Sequence, residues 1–277
     1  MTRYAKLLLF FVMAGIQPVL GQPNIFDCEN SLKFAHYLYN TSQYDLAQHE
    51  LERITFFCEP DSFTQLVLLK TYRKLRHYKN ANSYFHNKSF DEIASLNPDY
   101  RQEYIRLMMS QQNYLQAEES IHRGLDFKEK QEHLLGTTLL MKNWNEAYTM
   151  AQQPMGVASY KITALKSVAE KSFETRRKKP WLATILSVVV PGSGKMYSGY
   201  WADGAISLLF TVTSGYFAYR AFGKYGSENV YSWISGGLAV SYYLSNIYGG
   251  NRAAIRYNDN LDHQFIHETE HILFSDY

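Results

Sequence analysis

The sequence predicts an all-α fold in which a solenoid of helix hairpins is followed by a transmembrane helical hairpin. Three observations lead to this prediction. A short motif with an aromatic residue and an alanine recurs four times between residues 44 and 147. Apolar residues around it return at the three- and four-residue spacing of helices. Two long runs with few charges, residues 202–222 and 229–250, then follow with a short polar link between them.

The composition is typical of a folded protein and does not favour a nucleic-acid partner. The 277 residues carry a formal net charge of +2, and 46% of them are hydrophobic. Proteins that bind nucleic acid concentrate Lys and Arg against the phosphates. A nearly neutral chain gives no such signal, so we predict no nucleic-acid partner.

The first 21 residues have the composition of a secretory signal peptide. Arg3 and Lys6 precede the apolar residues 7–15, and small or branched residues stand at 19–21. An uncleaved anchor is the alternative. In both cases the following domain is exported, so we expect it in the periplasm, anchored to the inner rather than the outer membrane.

Two cysteines, Cys28 and Cys58, flank the first predicted helix pair. Helices are expected over about residues 31–40 and 44–57, joined by a polar turn. The start of the first helix of an antiparallel pair lies beside the end of the second. We therefore predict a disulfide, while two free thiols are the alternative in a reducing compartment.

Internal repeats organise residues 22–157. Their alanines lie 34, 36 and 30 residues apart, and an apolar residue follows each alanine by one helical turn. A pair of mostly apolar residues precedes each aromatic residue by about ten positions. The signature positions are Tyr44, Ala47, Tyr78, Ala81, Tyr114, Ala117, Trp144 and Ala147.

This pattern resembles the tetratricopeptide family, in which stacked helix pairs form a curved solenoid with a concave groove. The resemblance implies that the groove binds a protein or a peptide segment, here a protein of the cell envelope. The exact number of repeats stays open. Candidate partners for carboxylates are Arg53, Arg73, Lys74, Arg76, Arg101, Arg106 and Arg123.

Residues 158–179 are predicted to form a capping helix and a basic juxtamembrane linker. The linker ends in four consecutive cations, residues 176–179. Clustered cations usually mark the cytoplasmic side, which conflicts with the signal peptide. We give the signal peptide more weight, since long domains translocate largely regardless of charge, and assign the cluster to anionic headgroups.

Residues 180–250 are predicted to form the membrane module. The runs 202–222 and 229–250 approach the roughly 20 residues needed to cross a hydrocarbon core. Residues 181–190 form a shorter apolar segment. Whether it crosses the membrane, and so on which side the C-terminus lies, stays open. Small residues recur at i+4 spacing on both helices: Ser207, Thr211 and Gly215 on the first, and Gly237, Ser241, Ser245 and Gly249 on the second. This spacing predicts close packing of the two helices and allows homo- or hetero-oligomers.

Between its short apolar segment and the two long runs, the module contains the pattern P-G-x-G-x-x-Y-x-G-x-x-x-x-G. Its residues are Pro191, Gly192, Gly194, Tyr197, Gly199 and Gly204. With the two apolar runs after it, the pattern resembles the small bacterial membrane modules grouped as TM2-type domains. That resemblance covers about a quarter of the chain and implies no reaction. A phosphate-binding loop is excluded because Val189 and Met196 occupy its required glycine and hydroxyl positions.

The predicted polar tail, residues 251–277, contains His267-Glu268-Thr269-Glu270-His271. On a helix, H-E-x-x-H places two imidazoles where they can bind zinc, with a glutamate beside the metal-bound water. Only six residues follow His271, too few for the usual third ligand downstream. His267 and His271 are therefore weak metal candidates, and we predict no metal, cofactor or catalytic residue.

Together these features predict a membrane-anchored adaptor of the bacterial cell envelope that is not an enzyme. Its groove would bind a protein partner, and its module would contact membrane lipid. A transport or channel subunit built on the glycine-rich hairpin is the main alternative. A zinc peptidase that uses His267, Glu268 and His271 is the second.

Overall fold

The structure is a computed structural model that describes residues 26–59, 61–86, 92, 97–124, 127–154 and 159–275. The predicted signal peptide lies outside the described residues. Within these ranges the chain forms helices and no β-strand, which confirms the all-α prediction. The helices are α1 (Cys28–Asn40), α2 (Tyr44–Phe57), α3 (Ser62–Lys74), α4 (Tyr78–Phe85), α5 (Pro98–Ser110), α6 (Tyr114–Gly124), α7 (Phe127–Leu140), α8 (Trp144–Gln152), α9 (Tyr160–Glu174), α10 (Pro180–Val189), α11 (Ser193–Tyr197), α12 (Trp201–Tyr225) and α13 (Val230–Phe274).

The chain divides into two compact units, Met1–Glu103 and Tyr104–Tyr277. In the first unit, α1 and α2 pack as an antiparallel pair and α3 packs on α2. The shared core consists of Ala35, Leu38, Ala47, Leu51, Ile54 and Val67. The sequence-based limits at residues 157, 179 and 250 stay predictions.

The disulfide Cys28–Cys58 joins the start of α1 to the end of α2, with the Cα atoms 6.0 Å apart. It closes a loop with a sequence separation of 30 residues. In the chain-entropy model, a loop of that length stabilises the fold by about 3.5 kcal/mol. The Asp27 carboxylate caps α1, since its Oδ1 accepts a hydrogen bond of 2.7 Å from the Asn30 amide.

The recurring turns share one backbone conformation among the described residues. Each has one residue with φ near +60°, two positions before the aromatic residue of the motif: Ser42, Arg76, Gln112 and Lys142. The next amide donates to a carbonyl five residues back, as in Gln43 to Leu38 at 2.9 Å and Asn113 to Met108 at 2.9 Å. This 6→1 bond ends each first helix and starts the second.

In the second unit, the longest described helix is α13, which has 45 residues. At 1.5 Å per residue it is about 67 Å long. Its first half packs against α12, and its last turns pack against α7 and α9. Phe265, Thr269 and Leu273 are buried there, because their four-residue spacing keeps them on one face. Residues 251–274, expected as a polar tail, are thus part of a packed amphipathic helix.

The helical hairpin consists of α12 and the first half of α13, joined by residues 226–229. The short helix α10 lies along α13, and α11 contacts α10, α12 and α13. In the described part of the chain, no helix combines the length and mean hydropathy needed to cross a membrane. The predicted pair of transmembrane helices is therefore not supported.

Candidate functional site

The glycine motif forms the junction of α10, α11, α12 and α13. Gly192 has φ +87° and caps α11, and its amide donates a hydrogen bond of 2.6 Å to Asn246 Oδ1 on α13. A Cβ at Gly192 would overlap the Gly204 carbonyl oxygen, and one at Gly194 would overlap that of Ala183. Glycines at these positions therefore permit the helix backbones to approach closely.

The remaining motif residues complete this junction. A Cβ at Gly204 would lie 2.5 Å from Met196 Cγ, and Gly199 has φ +90° with open space around it. The Tyr197 hydroxyl accepts a hydrogen bond of 3.2 Å from the Lys179 amide. Pro191 is half-buried and follows Val190, the C-cap of α10. In this structure the motif positions helices and presents no reactive group.

Two asparagines of α13 form hydrogen bonds to α10. The sequence analysis did not identify them. Asn246 is buried and also donates through Nδ2 to the Ser187 carbonyl at 3.0 Å. Asn251 Nδ2 donates to Thr184 Oγ1 at 3.0 Å. The sequence did contain a signal for Asn246, which is a carboxamide within an apolar run. A buried side-chain amide needs hydrogen-bond partners, so such a residue is expected to bind a neighbouring helix.

The basic linker contacts the protein's own aromatic rings. Arg177 forms an ion pair with Asp262, and its guanidinium lies 5.3 Å from the centroid of the Trp144 ring. Lys178 Nζ lies 4.8 Å from the centroid of the Tyr197 ring. These two cations of the predicted headgroup cluster thus join the linker to α8, α11 and α13.

The four signature alanines, Ala47, Ala81, Ala117 and Ala147, are all 0% exposed. Their aromatic companions, Tyr44, Tyr78, Tyr114 and Trp144, are half-buried. A larger side chain at the alanine positions would meet the close packing of the interior. The motif therefore marks the contact between the helices of each pair.

Three of the seven candidate groove cations form ion pairs within the protein. Arg53 pairs with Glu50 at 2.6 Å and Arg123 with Glu119 at 2.7 Å. Arg73 and Glu103 are buried, with 2.5 Å between Nε and Oε1. Of the other four, Arg76 is the left-handed residue of its turn, and Lys74 Nζ lies 6.0 Å from the centroid of the Tyr44 ring. Arg101 and Arg106 each have a buried Nε.

His133 is fully buried on α7, and its Nδ1 makes no hydrogen bond. Burial, together with the positive charges of Arg106 and Lys161, lowers the pKa of His133 to about 3. The imidazole is therefore neutral at physiological pH. Its burial makes it a packing residue rather than an exposed ligand.

Two residues of the H-E-x-x-H sequence, His267 and Glu268, lie in different surroundings. His267 lines a polar cleft of about 700 Å³ with His263, Glu270 and Tyr114. Glu268 instead forms an ion pair with Lys171 at 3.5 Å. Across the described ranges, no group of three or more His, Cys, Asp or Glu is placed to hold a metal ion. The geometry thus gives the zinc hypothesis no support.

Tyr114, which lines the same cleft as His267, has a raised pKa because of its burial and the nearby Glu270 charge.

No protein-family model, curated protein or solved structure matches the chain. The resemblances to tetratricopeptide repeats and to TM2-type modules therefore stay predictions. Any functional assignment depends on the surface of this chain itself.

The helical hairpin and the adjoining helix α10 expose many large apolar side chains. Leu209 is 65% exposed on α12, and Tyr219 is 78% exposed. The exposed set on these elements comprises Trp181, Ile185, Val188, Val189, Val190, Trp201, Ile206, Leu209, Phe210, Val212, Tyr216, Phe217, Tyr219, Tyr225, Val230, Tyr231, Trp233, Ile234, Leu238, Val240, Tyr242, Leu244 and Tyr248. A water-soluble monomer rarely exposes a continuous apolar surface of this extent.

Two glycines of the predicted small-residue stripes do not lie in the contact between the hairpin helices. A Cβ at Gly215 or Gly237 would have no atom within 4 Å. The two helices meet instead through Ala218, Ala221 and Ser232, whose Oγ donates to the Ala221 carbonyl at 3.1 Å. The stripe prediction is therefore wrong at those two glycines.

Proposed function

We propose that the chain is a membrane-anchored adaptor whose hairpin contacts lipid and whose helical repeats bind a protein of the cell envelope. The observation that carries the proposal is the exposed apolar surface of α10, α12 and the first half of α13. Since no described helix has the length and mean hydropathy to cross a membrane, we propose contact with the hydrocarbon region rather than a crossing.

The polar groups of the hairpin support a lipid surrounding. Ser232 donates to the Ala221 and Gly226 carbonyls, and the Trp233 indole donates 2.9 Å to the Ser227 carbonyl. These two side chains thus bond to carbonyls of the hairpin itself, while large apolar side chains are exposed. This arrangement suits a solvent that offers no hydrogen bonds.

Aromatic residues at the ends of the hairpin support the same proposal. Trp201 starts α12, and Tyr225 ends it. Tyr231 and Trp233 lie in the first turn of α13, where they are exposed. Tyr and Trp are the residues enriched at membrane interfaces, where the ring contacts apolar tails and the polar atom contacts water.

The adaptor part of the proposal rests on the repeats. Helix hairpins with equivalent turns and buried alanines recur in the described residues, as they do in proteins that bind partners along a solenoid. The first hairpin also exposes Phe34 and Tyr37 on α1. A disulfide at Cys28 fits an oxidising compartment such as the periplasm. We propose no catalytic role.

Vesicle flotation of the full chain tests the lipid contact. We expect the wild-type protein to float with phospholipid vesicles, and Leu209→Lys with Leu238→Lys to reduce the floating fraction at least fivefold. Charges on a lipid-facing position cost several kcal/mol. Leu115→Lys is the matched control, because Leu115 is 79% exposed on α6 in the repeats. Equal flotation of all three proteins, or none by the wild type, contradicts the proposal.

Photocrosslinking in intact cells tests the adaptor role. A photoreactive side chain at Phe34 or Tyr37 is expected to capture one discrete envelope protein. The same probe at Tyr160, which is 85% exposed on α9, serves as the control position. Capture of lipid and of this chain alone would refute the adaptor role and leave the lipid contact standing.

A further inference from the structure

A groove of about 400 Å³ lies between α12 and α13 on the hairpin. Phe210, Thr213 and Phe217 line it from α12, and Ile234, Leu238 and Tyr242 from α13. Stacked rings of Phe210 and Tyr242, with centroids 5.7 Å apart, lie at one end. Among the described residues that line it, none carries a charge. The groove therefore favours an apolar ligand.

The two serine hydroxyls of the groove already form hydrogen bonds within the hairpin. Ser235 Oγ donates 2.9 Å to the Tyr231 carbonyl, and Ser214 Oγ donates 3.1 Å to the Thr211 carbonyl. They do not need a ligand to satisfy them. A ligand with a polar body would lose its own hydrogen bonds here, whereas a hydrocarbon chain loses none.

Two cations continue the line of the groove toward the hairpin loop. Phe210, Phe217 and Lys224 follow one another at intervals of seven residues on α12. Each therefore lies about 10.5 Å farther along the helix axis than the one before it and is rotated by only about 20° around that axis. Arg220 lies one turn after Phe217, beside this line. Both cations are exposed, and the ion pairs found among the described residues include neither. Glu228 is the carboxylate of the loop, and Asp203 lies at the opposite end of α12.

We propose that the groove holds one acyl chain of an anionic phospholipid, with the phosphate at Arg220 and Lys224. The inference rests on the lipid contact proposed above and names its specific ligand. The apolar residues that line the groove would contact the acyl chain, and the two cations at one end would bind the anionic headgroup. The seven-residue spacing places Lys224 one groove length beyond Phe217, with Arg220 between them, which fits a molecule with a long apolar part and an anionic end.

Native mass spectrometry of the full chain, released from mixed bilayers of phosphatidylglycerol and phosphatidylcholine, tests the ligand. Each cation near a headgroup contributes about a factor of five, so we expect phosphatidylglycerol to be retained roughly 25-fold over phosphatidylcholine. Arg220→Gln with Lys224→Gln should remove that preference. Arg252→Gln with Arg256→Gln, which removes two exposed cations of α13, should keep it.

A second variant pair tests the groove itself. Thr213→Trp fills the groove and should release the lipid, while Val212→Trp at the adjacent exposed position should retain it. Circular dichroism of both variants checks that the helices persist. Equal retention of the two lipids, or retention by Thr213→Trp, overturns the inference. A dimer that Thr213→Trp dissociates also overturns it, since a second copy would then occupy the groove.

Flotation separates this inference from the proposed function. If wild-type protein floats with neutral vesicles yet shows no lipid preference, the lipid contact stands and the specific ligand is wrong. If the protein neither floats nor retains lipid, both are wrong.

Discussion

The Asn258 side chain pairs with both backbone polar groups of Lys178. Its Nδ2 donates 2.8 Å to the Lys178 carbonyl, and its Oδ1 accepts 2.8 Å from the Lys178 amide. The linker between α9 and α10 is thereby fixed to the middle of α13. Since α13 also packs against α7 and α9, this one carboxamide ties the linker to a helix shared by the repeats and the hairpin.

Replacing Asn258 should loosen the linker without unfolding the helices. In Asn258→Ala both Lys178 groups lose their partner, which costs about 1 to 3 kcal/mol for a half-buried pair. Hydrogen exchange at the Lys178 amide is expected to accelerate at least fivefold. Asn260→Ala is the matched control, because Asn260 is exposed on the same helix. Unchanged exchange in Asn258→Ala would refute this role.

A buried ion pair lies inside the first unit. The Arg73 and Glu103 side chains are each 2% exposed. Removing one partner leaves an uncompensated buried charge, which costs about 3 to 5 kcal/mol. Arg73→Met should therefore lower the free energy of unfolding by that amount in a urea titration, and Arg73→Met with Glu103→Met should recover much of it.

The exposed pair Arg123–Glu119 provides the comparison. Arg123→Met should change the free energy of unfolding by less than about 1 kcal/mol, as is usual for surface pairs. Equal losses in the free energy of unfolding for Arg73→Met and Arg123→Met would contradict the prediction that burial makes the loss of Arg73 more costly.

The sequence predicted those features that depend on local spacing. The helices follow from apolar residues that recur every three or four positions, and the Cys28–Cys58 pairing from the antiparallel geometry of two adjacent helices. The left-handed residues Ser42, Arg76, Gln112 and Lys142 have no common side chain. Backbone hydrogen bonds impose that conformation, so residue type could not reveal it.

Contacts between distant residues could not be predicted from spacing. Asn246 binds Gly192, 54 residues earlier, and Asn258 binds Lys178, 80 residues earlier. The sequence analysis also placed Gly215 and Gly237 in the contact between α12 and α13. Small residues at i+4 spacing show that a helix has a face of small side chains, but they do not show which element packs against that face. Which face is covered depends here on α10 and α11, which meet α13 from another side.

The glycines of the junction should tolerate no side chain, whereas those on the open face should. A Cβ at Gly250 would overlap Ser187 Oγ and lie 3.2 Å from the Ala183 carbonyl oxygen. Gly250→Ala should therefore separate α10 from α13 and lower the melting temperature by at least 4 °C. Gly215→Ala meets no atom within 4 Å and should stabilise α12 by up to about 1 kcal/mol. Thermal unfolding followed by circular dichroism in detergent measures both, and equal melting temperatures would contradict the packing described.

The buried His133 should make the second unit sensitive to acid. Its pKa is about 3 in the folded protein, against 6.5 for an unperturbed histidine. Between these values the unfolded chain binds a proton that the folded chain does not, so stability falls as the pH falls. Each pH unit inside this window costs about 1.4 kcal/mol.

Urea titrations of wild-type protein and His133→Gln between pH 7 and pH 4 measure this effect. The variant has no titrating group at that position, so its free energy of unfolding should fall less steeply with decreasing pH. His122→Gln, at an exposed position on α6, should keep the wild-type slope. A slope in His133→Gln as steep as that of the wild type would mean that other groups, rather than the burial of this imidazole beside Arg106 and Lys161, set the acid sensitivity.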